Sequence, residues 1–239
     1  MTSPRAESPT RLTAEHAYRL WAPWYDSAAN PLLTLEERCL TPVLERFAKG
    51  HIVDLGCGTG RWLRRLEQME PASLTGVDAS AAMLAEAHKK SLRSTTLLHS
   101  DCTATPLFKN SADLLLSSFV LSYLSDLERF AREARRIVRC GGWLVLSDVH
   151  PNAASYGWRR SFRTPEGLFE METYSYDFAE LFHVMACSGF RLEEMNEPCF
   201  GAEEEEIFRL AGKPDIFLQF RLVPAIYWAR FAADSDRNT

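Results

Sequence analysis

Three glycines at alternate positions, Gly56, Gly58 and Gly60, follow an apolar run that ends in Asp54. Glycine tolerates positive φ and has no Cβ, so such a bend lets a ligand approach bare backbone. Trp62-Leu63-Arg64-Arg65-Leu66 behind it reads as the start of a helix, whose free N–H groups point back towards the bend. Two later acids, Asp78 and Asp101, close apolar runs in the same manner. Asp78 stands 24 positions after Asp54, one strand–helix–strand unit on, where a doubly wound sheet puts the acid that accepts from ribose hydroxyls. A helix N-cap is the alternative for Asp78. His150 offers different chemistry. It follows a fifth apolar run, and an imidazole titrating near neutrality can remove a proton. A hydrogen-bonded loop histidine that shapes a pocket is the alternative there.

The spacing G-x-G-x-G brings the third glycine one residue earlier than the dinucleotide fingerprint G-x-G-x-x-G. Asp54-Leu55-Gly56-Cys57-Gly58-Thr59-Gly60 resembles the first motif of the class I S-adenosylmethionine-dependent methyltransferases, and the likeness runs as a series over about residues 50–150. It implies a Rossmann-like, doubly wound α/β sheet of seven strands, the last antiparallel, in three αβα layers. It implies S-adenosyl-L-methionine as cofactor and S-adenosyl-L-homocysteine as product, held by Asp54, the Gly56-Cys57-Gly58-Thr59-Gly60 bend, Asp78, Ala79 and Ser80. Met83 stands at the adenine edge unless it is core. Asp101-Cys102 resembles the third motif, in which the acid accepts from the adenine amino group and the next N–H donates to the ring; a plain turn is the alternative. Tyr25-Asp26 resembles the step that precedes the core in small-molecule members. That makes residues 1–33 a lid and 34–239 the methyltransferase domain, unless the aromatic face of 14–26 only packs on it.

Those residues need elements to place them. Thr34 opens a helix with an apolar stripe from Leu35 to Phe47; Asn30-Pro31 breaks the chain before it. Residues 111–119 read as a fourth strand around the apolar run Leu114-Leu115-Leu116, as a central parallel strand requires. Ligands of open α/β sheets lie outside the strands' carboxyl ends, so Ser117, Ser118 and Phe119 read as cofactor wall and Tyr123 as substrate side. Many members of the resembling family carry a histidine near Tyr123, which sets this chain apart. Residues 127–139 form an amphipathic helix, Cys140-Gly141-Gly142 its turn and 143–149 the fifth strand, like the family's post-core motif. Aromatic residues crowd 151–176, which reads as an irregular insertion over the site that selects a small, aromatic or apolar acceptor. A helix over 178–188, a strand over 190–195, a solvated acidic segment over 202–207 and a last strand over 215–222 complete the expectation.

Composition narrows the class. A chain of 239 residues with net charge −5 suits one cored domain and lacks the basic stripe of a nucleic-acid binder. Six cysteines show no C-x-x-C pair, so no metal site is expected. No apolar run approaches the ~18 residues of a membrane span. With the polar start, this gives a cytoplasmic enzyme, monomer or homodimer, with no membrane partner. An activated sulfonium methyl requires alignment with a nucleophile and exclusion of water, with His150, then Tyr123, as base. The rivals are an NAD-type oxidoreductase on a similar sheet and a non-catalytic cofactor-binding module.

Overall fold

The computed structural model describes residues 8–27, 29–47 and 49–234. Its elements begin with β1 (Thr10–Leu12), α1 (Ala14–Trp21), α2 (Pro31–Leu44), β2 (His51–Leu55), α3 (Arg61–Glu67), β3 (Ser73–Asp78), α4 (Ala81–His88) and β4 (Thr95–His99). They continue with β5 (Ala112–Ser118), α5 (Leu127–Ile137), β6 (Val138–Val149), β7 (Ser161–Thr164), β8 (Gly167–Met171) and α6 (Phe178–Cys187). The chain closes with β9 (Phe190–Asn196), α7 (Ala202–Leu210), α8 (Pro214–Phe220) and β10 (Ile226–Ala233).

Seven strands pair in the order β4-β3-β2-β5-β6-β10-β9. The first five run parallel and β10 is antiparallel to both neighbours, so the last strand is the reversed one. On one face Val53, Leu55 and Leu115 pack against Phe130 and Ile137 of α5 and Leu181 of α6. On the other Ile52, Leu114 and Leu116 pack against Leu40 and Leu44 of α2 and Leu63 of α3. Covering both faces explains the unbroken apolar runs. The direction of winding switches between β2 and β5, which places a crevice at their carboxyl ends.

Several expectations need correction. Helix α2 starts at Pro31, not Thr34, so Asn30-Pro31 opens a helix instead of breaking the chain. Asn30 is its cap, accepting from the Leu32 N–H at 3.0 Å, and Pro31 fills the first position, where an N–H has no helical partner. Residues 31–33 therefore belong to α2. Residues 215–222 are not a strand: Pro214 starts α8, which buries Phe217 and Phe220 at helical spacing and leaves Leu218 exposed. The seventh strand is β10, which the sequence reading left unassigned. The acidic segment is helix α7, and Glu204 is fully buried there, paired with Arg38 Nη2 at 2.9 Å. Strand β6 begins at Val138 and runs through Cys140-Gly141-Gly142, where Gly141 takes φ +71° within the strand instead of forming a connecting turn.

The segment 151–176 is more regular than expected. A short 3-10 turn (Pro151–Tyr156) leads into the β7–β8 hairpin, and β1 adds parallel to β8 to make a second, three-stranded sheet. Residues 10–12 are thus a strand, while residues 1–7 lie outside those described. Among the described residues no helix is long and apolar enough to cross a membrane.

Candidate active site

The glycine bend sits at the switch point. Gly56 N and Cys57 N both donate to Val77 O, at 2.8 and 2.9 Å, which folds the bend over the end of β3. At Gly56, φ is +85° and a Cβ would lie 2.2 Å from Val120 Cγ2, so a side chain there is excluded twice over. At Gly58, φ is +54° and a Cβ would meet no atom within 4 Å: this backbone lies open. The Asp78 carboxylate accepts from Gly58 N at 2.7 Å and Ser80 N at 2.8 Å, so it pins the bend and keeps lone pairs for a ligand. Ser80, not Asp78, caps α4, its Oγ accepting from Met83 N at 3.3 Å.

Asp54 is 1% exposed and its Oδ1 has no hydrogen-bond partner. Burial pushes its carboxyl up to about 8, with Arg61 opposing and Glu36 and Asp78 adding to the rise. The folded protein therefore holds a proton that the unfolded chain, with a carboxyl near ~3.9, releases. The stability tied to this proton is full below about pH 4 and is lost as pH rises towards 8. Asp54→Asn should remove this dependence. Thermal melts from about pH 5 to 8 should show the wild type losing ground steadily to the variant, whereas a constant gap would contradict a buried neutral carboxyl.

The other predicted positions divide. Cys57 and Thr59 are buried within the bend, and burial raises the Cys57 thiol pKa. Phe119 is 7% exposed at the end of β5 and holds φ +55°, a strained conformation for a residue with a Cβ. The Ala79 carbonyl faces His99 Nε2 at 2.9 Å. Met83 is buried, and the Ser117 hydroxyl is spent inside the sheet on Leu55 O at 2.9 Å. Asp101 Oδ1 accepts from the N–H and hydroxyl of Thr103, at 2.7 and 2.8 Å, as a turn residue would. Burial pushes the neighbouring Cys102 thiol up to about 12.

A buried charge network beneath the bend was not anticipated. Glu36, fully buried on α2, accepts from Arg61 Nη2, from Trp62 Nε1 at 3.2 Å, from Ser118 Oγ at 2.6 Å and from Ser147 Oγ. It joins α2, the start of α3 and the ends of β5 and β6 around one carboxylate. Over the bend lies the N-terminal segment: Asp26 accepts from Thr59 Oγ1 at 3.1 Å and pairs with Lys90 Nζ at 2.7 Å. The aromatic face of α1 both packs and covers. Trp21 stacks on Phe162 at 4.8 Å and meets Tyr25 at 4.7 Å, and Tyr18 meets Tyr123 edge-on at 5.3 Å. Burial pushes the Tyr25 phenol up to about 12 and raises that of Tyr123.

Beside this cover a cavity of about 410 Å³ opens at the ends of β6 and β10, lined by Asp148, His150, Arg160 and Tyr227 among others. Arg160 lies over the rings of Phe119 and Tyr123, at 5.2 and 5.5 Å, and donates to Asp148 Oδ1 at 2.7 Å. It joins the bend's wall to the cavity. His150 is 4% exposed and both its ring nitrogens are engaged: Nε2 meets Glu197 Oε2 at 2.7 Å and Nδ1 accepts from Asn152 N at 3.2 Å. Glu36, Arg61, Asp148 and Arg160 gave no sequence signal, because each is joined to partners far along the chain. Among the described residues no cluster of three or more His, Cys, Asp or Glu is arranged to hold a metal ion.

An open bend at the switch point of a doubly wound sheet, with acids closing β2 and β3, defines a Rossmann-like cofactor-binding protein. Residues 53–146 match a family model described as a methyltransferase domain. That stretch, from β2 to β6, is what the chain shares with the methyltransferase family. It is 29% identical over 194 residues to an uncharacterized protein of Mycobacterium tuberculosis, covering 80% of this chain and 64% of that one. It is 33% identical over 149 residues to the demethylmenaquinone methyltransferase of Thermotoga maritima, covering 58% and 64%. The matched stretch thus spans just under two thirds of each relative. The structure of a DhpI–SAH complex superimposes with a TM-score of 0.66 at 21% identity, covering 92% of this chain and 94% of that one.

The residues present fit S-adenosylmethionine. Gly58 leaves room where a Cβ would stand, and Asp54 Oδ1 is a buried acceptor without a donor, suited to a cationic group.

Proposed function

We propose that the chain transfers a methyl group from S-adenosylmethionine to an oxygen, nitrogen or carbon atom of a small molecule seated in the cavity beside Asp148. The observation that carries this reading is the open backbone at Gly58, whose N–H is held by the Asp78 carboxylate. When bound, the cofactor supplies a methyl group already activated by its sulfonium. The Gly56–Gly60 bend and Asp78 hold the ribose side, Asp101-Cys102 the adenine side, and Ser118 and Phe119 the wall. Tyr25 and Trp21 keep water out from above, as the Asp26 contacts with Thr59 and Lys90 support. The chain's remaining task is to align the acceptor, and alignment alone can supply roughly 7–11 kcal/mol.

His150 serves this task by position. With Nδ1 accepting a backbone N–H and Nε2 directed at Glu197, it has no free lone pair for an acceptor proton, so we assign it a bracing role in place of general base. Tyr123, whose ionisation burial disfavours, acts protonated at the edge of the same space. Six free thiols support a reducing, cytoplasmic setting.

Calorimetric titration tests the reading. We expect S-adenosylmethionine and S-adenosylhomocysteine to bind at micromolar concentration and NAD not to bind. Nicotinamide binding would favour the oxidoreductase instead, and cofactor binding without methyl release to any member of a small-molecule library would favour the non-catalytic module.

A further inference from the structure

The cavity beside Asp148 carries a polar atom with no assigned use. Tyr227 is 4% exposed, lines the cavity, and among the described residues its hydroxyl makes no hydrogen bond. Its ring is fixed edge-on against Phe178, with centroids 5.2 Å apart. On the sheet it stands directly opposite Asp148. That carboxylate accepts from Ser122 N, Ser122 Oγ, Arg160 Nη2 and Val149 N, at 2.8, 3.1, 2.7 and 2.7 Å. The Tyr227 phenol is not among its donors. Burial, with the Asp148 charge adding, raises the Tyr227 pKa well above its ordinary value, so the group stays a donor. Because Tyr227 lines the cavity and its hydroxyl has no partner among the described residues, that donor is open to a ligand oxygen.

The remaining lining is aromatic and mixed in charge. Trp158, Tyr174 and Tyr176 supply ring surface. At the rim Arg159 spends Nη1 on the carbonyls of Trp158 and Ala154, at 2.8 and 3.3 Å, and Glu172 lies in the same rim. A volume of about 410 Å³ is within the range of small-molecule sites.

We infer that this cavity takes a small aromatic acceptor bearing a carbonyl or carboxylate oxygen, which accepts a hydrogen bond from the Tyr227 hydroxyl. Tyr227 is then a specificity-determining residue. The inference rests on the methyl-transfer reading for the word acceptor, and on the cavity alone for the ligand chemistry.

Three probes share a phenol ring and differ at the para position: 4-hydroxybenzoate, 4-hydroxyacetophenone and 4-ethylphenol. Each is titrated into the protein with and without S-adenosylhomocysteine, for the wild type and Tyr227→Phe, alongside melting temperatures. The wild type should bind at least one of the two oxo compounds about fivefold or more tighter than 4-ethylphenol. Tyr227→Phe should bring that preference within about twofold while 4-ethylphenol affinity and melting temperature hold. Preference for 4-hydroxybenzoate would assign the oxygen to a carboxylate, and preference for 4-hydroxyacetophenone to a carbonyl. Equal binding of all three, binding of none, or a preference that survives in Tyr227→Phe would overturn the inference. Absence of S-adenosylhomocysteine binding would instead strike the methyl-transfer reading, while the titrations without it still judge the cavity.

Discussion

Asp78→Ala should weaken S-adenosylmethionine binding at least tenfold. Two losses add. The carboxylate is the acid positioned for the ribose, and each charge-assisted hydrogen bond to a ligand contributes about 1.5–3 kcal/mol. It also accepts from Gly58 N and Ser80 N, at 2.7 and 2.8 Å, so its removal frees the bend from the end of β3 and leaves two N–H groups without their acceptor. Calorimetry gives the affinity, and a melt without ligand separates the parts. A tenfold weaker Kd with an unchanged melting temperature assigns the effect to ligand contact. A joint fall assigns part of it to the bend. Affinity within twofold of wild type would show that the acid is not a ribose acceptor at all. Because Asp78 keeps its backbone partners without a ligand, the test does not depend on closure of the N-terminal segment.

The bend and its acids were legible because their signals are local. Gly56 is required by the backbone conformation and by Val120, which follows β5, yet it shows as a glycine in a short motif. Asp78 is marked by its place at the end of an apolar run. The succession of strands along the chain from β2 to β6 followed from alternating apolar runs and turns, and their doubly wound arrangement from the family resemblance. What failed was also local, and for physical reasons. Residues 215–222 hold five apolar side chains in eight positions, dense enough to pass for a strand, and only the burial of Phe217 and Phe220 against the α2 side of the fold selects a helix. Glu204 looked solvated among four glutamates, and its burial depends on Arg38, 166 positions away. His150 was chosen for its place on the chain, but the occupancy of its nitrogens depends on Glu197, 47 positions on. Tyr227 could not be singled out, because its value lies in lacking a partner, and a sequence does not display absent contacts.

Glu36→Ala should be the most destabilising of the changes considered. The residue reads in the sequence as one of several acids near a helix start, yet it is fully buried and gathers four donors from three elements. Truncation leaves the Arg61 guanidinium, only 17% exposed, with Glu37 at 3.1 Å as its remaining carboxylate, and removes the acceptor of Trp62 Nε1. Removing one partner of a buried ion pair costs about 3–5 kcal/mol. In a chain of this length each kcal/mol corresponds to about 2–4 °C, so the melting temperature should fall by roughly 6–20 °C. Glu36→Gln preserves shape and one accepting oxygen, and the Ser118 and Ser147 hydroxyls can turn to accept from its amide, so it should cost less than the alanine. Glu36→Leu combined with Arg61→Met removes both charges and should recover part of the loss, since an apolar replacement of a buried pair is often neutral. The order alanine, glutamine, double variant is the diagnostic. A melting temperature within about 2 °C of wild type for Glu36→Ala would mean that the network does not form. If the order holds, cofactor affinity should fall with stability. Arg61 is the first residue of α3 beyond Gly60, and Ser118 ends the strand that forms the bend's wall, so the carboxylate that anchors both also sets the shape of the cofactor site.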